Sequence, residues 1–106
     1  MEHNLLAYQI KGQALIYKMP KEIDQHVAGH LCKELDALID AHFCKELILD
    51  FKETEFMDSS GIGVVIGRSK NMQFREGRVS VANLNARIQT IFEAIGLYQI
   101  VSIKEV

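Results

Sequence analysis

The residues best placed to do chemistry form one run, Phe56-Met57-Asp58-Ser59-Ser60-Gly61-Ile62-Gly63. A carboxylate and two hydroxyls ahead of a stretch of helical periodicity suit a helix start, because Asp58 or Ser59 can accept bonds from the free N–H groups of the first turn. The same position tolerates negative charge, since a helix N-terminus stabilises an anion by about 0.3–1 kcal/mol at an exposed site. Phosphorylation of Ser59 would therefore leave the domain folded. It would add about −1.5 to −2 charge beside Asp58 and repel any partner packed closely there. Capping alone also accounts for Asp-Ser-Ser, and from these residues by themselves both readings stand.

Other chemistries find less support. Ser59 lacks the Gly-x-Ser-x-Gly elbow of a hydrolase, and no base or orienting acid can be assigned to it from sequence. Gly61-x-Gly63 lacks the third glycine and the Lys-Ser/Thr pair of the nucleotide phosphate loops. His26 and His30 stand four apart and could share a metal, but no third ligand accompanies them at a telling spacing, so a solvated helix face is the simpler reading. His3 and His42 form no discernible constellation. Cys32 and Cys44 are the only cysteines, are not in a Cys-x-x-Cys pair, and read as small packing residues kept as thiols. No catalytic residue, cofactor or metal is expected.

The elements that must position the run are legible on either side of it. Leu5 to Ile10 and Gln13 to Lys18 read as a hairpin about Lys11-Gly12. Pro20, the single proline, marks a boundary. Ile23, Val27, Leu31, Leu35, Leu38 and Ile39 recur at helical spacing between Ile23 and Ala41. Leu47 to Phe51 is a nearly continuous apolar run, as expected of a central strand covered on both faces. Lys52 to Glu55 is then a polar loop, and Ser59 to Phe74 a helix with Ile62, Val65, Ile66 and Met72 inward. Gly61, Gly63 and Gly67 within it each cost roughly 1 kcal/mol of helix propensity against alanine, which points to a close approach by the sheet or a partner. Val79 to Ala82 reads as a strand and Asn85 to Ile95 as a helix with Ile88, Ile91, Phe92 and Ile95 inward. Gly96 stands where a helix C-cap wants it, and Ile100 to Ile103 is the last strand. Strands alternating with helices predict an α/β fold: a mixed β-sheet with an N-terminal hairpin and helices packed on it, parallel after the hairpin.

Composition agrees with a single domain over residues 1–106. Of these, 48% are hydrophobic and 25% charged, which suits one packed core. The formal net charge is −2, and Lys and Arg are scattered, so nucleic acid is not an expected direct partner. No apolar stretch approaches the ~20 residues of a membrane span, and Met1-Glu2-His3-Asn4 lacks the basic start of a secretory signal. A cytoplasmic location is expected.

The run Phe56-Met57-Asp58-Ser59-Ser60-Gly61-Ile62-Gly63-Val64 with Gly67-Arg68 resembles the signature of the STAS-domain anti-sigma factor antagonists, most closely the sporulation branch. The likeness extends to Glu22-Ile23-Asp24-Gln25-His26, Leu47 to Phe51, Ile91-Phe92 and Gly96-Leu97. It implies the STAS fold and a non-enzymatic role. In that family the anti-sigma factor is a serine kinase that phosphorylates the first serine after the aspartate, here Ser59, and a serine phosphatase removes the phosphate. The unphosphorylated form binds the kinase and displaces a sigma factor. The resemblance implies that Asp24, Asp58, Ser60, Gly61, Gly63 and Arg68 shape that contact, Arg68 lying about two turns along the same helix. Lys21 stands where the family usually has glycine, and many members continue past the position of Val106 into a further packed helix. The alternative role is a STAS regulatory module of a stress-response, transport or sensory complex.

Overall fold

In the computed structural model, which describes residues 7–106, the elements follow in the order β1 (Tyr8–Lys11), β2 (Ala14–Lys18), β3 (Glu22–Ile23), α1 (Gln25–His42), β4 (Glu46–Asp50), β5 (Phe56–Met57), α2 (Ser59–Phe74), β6 (Arg78–Ala82), α3 (Ala86–Ile95) and β7 (Ser102–Ile103). The hairpin forms as expected, β1 pairing antiparallel with β2 across Gly12. Its first strand was expected to begin at Leu5; Leu5 and Leu6 lie outside the described residues. From β2 onward every pairing is parallel, giving the sheet order β1-β2-β4-β6-β7. The apolar run at Leu47 thus becomes the middle strand.

Strand alternation sorts the side chains. Leu15, Tyr17, Leu47, Leu49, Val79 and Val81 join Leu31, Leu35 and Ile39 of α1 and Val65 and Met72 of α2 in the main core. Ile16, Ile48 and Ala82 form a small second cluster. With them lies Glu46, only 6% exposed. It accepts bonds from Ser80 Oγ at 2.7 Å and Lys104 Nζ at 2.8 Å, with Arg78 Nη2 at 3.4 Å. Burial alone would push its carboxyl up, but these donors and cations outweigh it and hold the group below the usual glutamate range. The interaction ties β7 to the centre of the sheet.

Several boundaries differ from the sequence-based expectation. Ile23 belongs to β3, because Asp24 caps α1 by accepting from Val27 N–H at 2.9 Å. In α3, Ile88 and Phe92 are fully buried and Phe92 meets Phe51 edge-on at 6.0 Å, whereas Ile91 is half-buried and Ile95 is exposed. The helix is short, and Gly96 ends it in the left-handed region at φ 78° with its N–H returning to Phe92 and Glu93. Leu97–Gln99 then turns as a 3-10 helix, so the last strand shrinks to Ser102–Ile103 while Val101 is buried.

One feature of the fold has no counterpart in the sequence reading. Residues flanking the two loops at the carboxyl edge of the sheet pair as a second, two-stranded parallel sheet, with Glu22 abreast of Phe56 and Ile23 abreast of Met57. The segment read as a polar loop is anchored rather than loose. Thr54 is buried, its hydroxyl donates to Pro20 O at 2.8 Å, and its own carbonyl accepts from Asn85 Nδ2 at 3.0 Å. Glu55 N–H donates to Lys21 O at 2.8 Å. Three loops, those before β3, before β5 and before α3, are therefore bonded to one another.

Candidate functional site

Asp58 ends β5 and begins α2. Its backbone is extended, at φ −98° and ψ −169°, and its N–H donates to Ile23 O at 3.1 Å, continuing the small sheet. Its Oδ1 accepts from Ser60 N–H at 2.8 Å and also from the Ser60 hydroxyl. The hydroxyl bond is the main cause that holds the Asp58 carboxyl below the usual aspartate range, with the Ser60 and Gly61 N–H groups adding to it. Asp58 is therefore the cap, and Ser60 is the residue it binds. Ser59, the first residue of α2, takes no part in these bonds and is exposed.

The small sheet decides what surrounds Ser59. Because β3 and β5 run parallel in register, Asp24 follows Ile23 just as Asp58 follows Met57. Ile23 and Met57 face inward and are buried, whereas Glu22, Asp24 and Phe56 are exposed and Asp58 is half-buried. Two helix caps, Asp24 and Asp58, thus stand on the same edge.

The sequence-predicted site residues fall into two groups. Asp24, Asp58, Ser59, Ser60 and Gly63 lie at this edge, and Gly63 is exposed with nothing within 4 Å of where a Cβ would stand. Gly61 is buried beneath it; a Cβ there would sit 2.6 Å from the Met57 sulfur and 3.3 Å from Ile23 Cγ2. This glycine's close approach is to the small sheet, while those at 63 and 67 border open space. Arg68 does not join the edge. Its side chain is 10% exposed and lies in the seam with α1, Nε 3.1 Å from Asp36 Oδ1 but poorly aligned with it. Below it Asn71 Nδ2 donates to Asp36 at 2.8 Å and Arg75 pairs with Asp40, so this stripe of α2 binds α1.

The other candidates remain apart. His26 and His30 meet edge-to-face at 4.8 Å, and no group of three or more His, Cys, Asp or Glu among the described residues is placed to hold a metal. Cys32 is half-buried and Cys44 buried, both free thiols. A cleft of about 610 Å³ opens between α3 and β7, lined by Leu84, Glu93, Tyr98, Ile103 and Val106 among others, and includes none of the predicted site residues. No helix among the described residues is long and apolar enough to cross a membrane. Sequence reasoning missed Phe56 as a surface group, because the inward-outward alternation of Met57 and Phe56 carries meaning only once β5 is known to be a strand.

Comparison with known proteins places this geometry. A model of the STAS domain matches residues 6–106. The anti-sigma F factor antagonist of Paenibacillus polymyxa is 32% identical over 89 residues, which are 84% of this chain and 76% of that protein. The anti-sigma-B factor antagonist of Listeria monocytogenes is 37% identical over 60 residues, 57% of this chain and 53% of that protein. The solved structure of the anti-sigma factor antagonist SpoIIAA in its unphosphorylated form superposes with a TM-score of 0.79 at 24% identity, covering 92% of this chain and 88% of the other, and shares its fold. The chain belongs to the STAS-domain family, and its similarity to the anti-sigma factor antagonists marks it as a regulatory binding protein rather than an enzyme.

Proposed function

We propose that this chain is an anti-sigma factor antagonist that docks onto an anti-sigma factor serine kinase through the edge around Ser59 and so frees a sigma factor. Phosphorylation of Ser59 by the kinase ends that binding, and a serine phosphatase restores it, all within the cytoplasm. The observation that carries the reading is the division of labour between two adjacent serines. Asp58 engages both the N–H and the hydroxyl of Ser60, leaving Ser59 as the exposed hydroxyl of the pair. A phosphoryl group on Ser59 would rest at the N-terminus of α2, where the helix dipole favours it, so the domain stays folded. The charge would act on the partner instead, through repulsion and desolvation at a close-packed surface. Asp24 lies on the same edge and contributes to the docking face; Gly63 lets a partner approach α2 closely.

The test is to incubate the protein with Mg-ATP and purified anti-sigma F and anti-sigma-B kinases in parallel, since relatives of both kinds are similar to it, and to map phosphate by mass spectrometry. Phosphate on Ser59 alone from either kinase supports the proposal. Absence of phosphate with both kinases, each active on its own antagonist, rejects it and favours a STAS role in a transport or sensory complex.

A further inference from the structure

Resting on the function proposed above, we propose that Phe56 is the apolar anchor of the kinase-docking surface, seated in a socket of the kinase that is rimmed by basic side chains. Phe56 is 45% exposed, although Met57, which follows it, and Ile23, the partner of Met57 in register, are both buried. Exposed phenylalanines scattered singly are unremarkable. This one differs in what the small sheet places around it. Period-two alternation puts residues 56 and 58 on the outward side of one strand line and residues 22 and 24 on the outward side of the other. Glu22 is Phe56's direct partner in register, and the two cap residues follow one step on. Phe56 therefore shares the outward side of the small sheet with Glu22, Asp24 and Asp58, and Ser59 follows Asp58 in the chain.

The charge around the ring is not neutralised internally. Lys18 lies 3.6 Å from Glu53 and Lys21 lies 4.0 Å from Glu55, whereas Glu22, Asp24 and Asp58 have no cationic side chain within 4 Å among the described residues. An apolar ring in an acidic rim is complementary to an apolar socket in a basic one. Aromatic residues ringed by polar contacts that exclude water are where binding energy concentrates. The acidic rim would speed association and fix orientation more than it tightens the complex. Other exposed phenylalanines, Phe43 and Phe74, lie at the opposite ends of α1 and α2, away from the small sheet.

The experiment measures affinity for the purified anti-sigma F and anti-sigma-B kinases with ADP by titration calorimetry, using wild type, Phe56→Ala and Phe74→Ala, with thermal melts as the folding control. Phe56→Ala is expected to weaken binding about tenfold or more while melting within a few degrees of wild type, and Phe74→Ala to bind as wild type does. The wild-type association rate should fall as salt rises. If wild type binds and is phosphorylated on Ser59 but Phe56→Ala binds equally well, the anchor is overturned and the proposed function stands. If wild type binds neither kinase, both fall.

Discussion

Asp58 Oδ1 receives both the backbone N–H and the hydroxyl of Ser60, an interaction that caps α2 with one serine and leaves the preceding one outside. Ser59→Ala is therefore expected to bind the kinase as wild type does and to accept no phosphate. Ser59→Asp should remain folded and bind weakly, and Ser60→Ala should still be phosphorylated at Ser59. Equal kinase affinity for Ser59→Ala and Ser59→Asp would remove the switch from this serine.

The cap also predicts a stability cost. Asp58→Ala removes the side-chain acceptor at the start of α2 and should lower the melting temperature by a few degrees. Asp58→Asn keeps an acceptor and should recover most of that loss. Because the folded-state carboxyl lies below its unfolded value, its contribution is present above the ordinary aspartate range and disappears as pH falls through the lowered value. The stability gap between wild type and Asp58→Asn should accordingly narrow on acidification from neutrality, which melts across a pH series would read.

Two glycines of the same helix should respond oppositely to alanine. At Gly61 a methyl group meets the Met57 side chain and Ile23, and overpacking of this kind costs about 1–3 kcal/mol. At Gly63 the methyl group meets nothing, and the gain in helix propensity should stabilise the domain by up to about 1 kcal/mol. Gly63→Ala should nonetheless bind the kinase less well, since it intrudes on the docking face. Denaturant melts and calorimetry separate the two effects.

Glu46 is the acid on which the sheet's second face depends. Lys104→Met leaves Ser80 and Arg78 beside it but removes its closest cation, so the carboxyl should titrate at higher pH and the protein should lose roughly 1–3 kcal/mol near neutrality. The sign follows from the lowered folded-state value: stability from Glu46 is present above the ordinary glutamate range and is lost as pH falls through the lowered one. A melting temperature for Lys104→Met equal to that of wild type at pH 7 would show that Arg78 and Ser80 suffice.

Most of this fold was readable before the structure, and so was the chemical core of the candidate site. Apolar periodicity marks α1, α2 and α3 because each buries one stripe on the sheet; the continuous run at Leu47 marks the middle strand because both of its faces are covered. Asp58-Ser59-Ser60 at a helix start is a local pattern, set by four unpaired N–H groups and the side chains within reach of them. What the sequence by itself could not determine depended on residues far apart in the chain. The pairing of β3 with β5 joins segments more than thirty positions apart, each too short to show alternation, and only that register puts Phe56, Asp24 and Asp58 on one surface. Arg68 has the same local surroundings whether it faces a partner or α1; packing of the two helices turned it toward Asp36. Which of two neighbouring serines stays available was likewise a tertiary matter, since either could sit beside a capping aspartate until the backbone direction at Asp58, held by its bond to Ile23, aimed the carboxylate at Ser60.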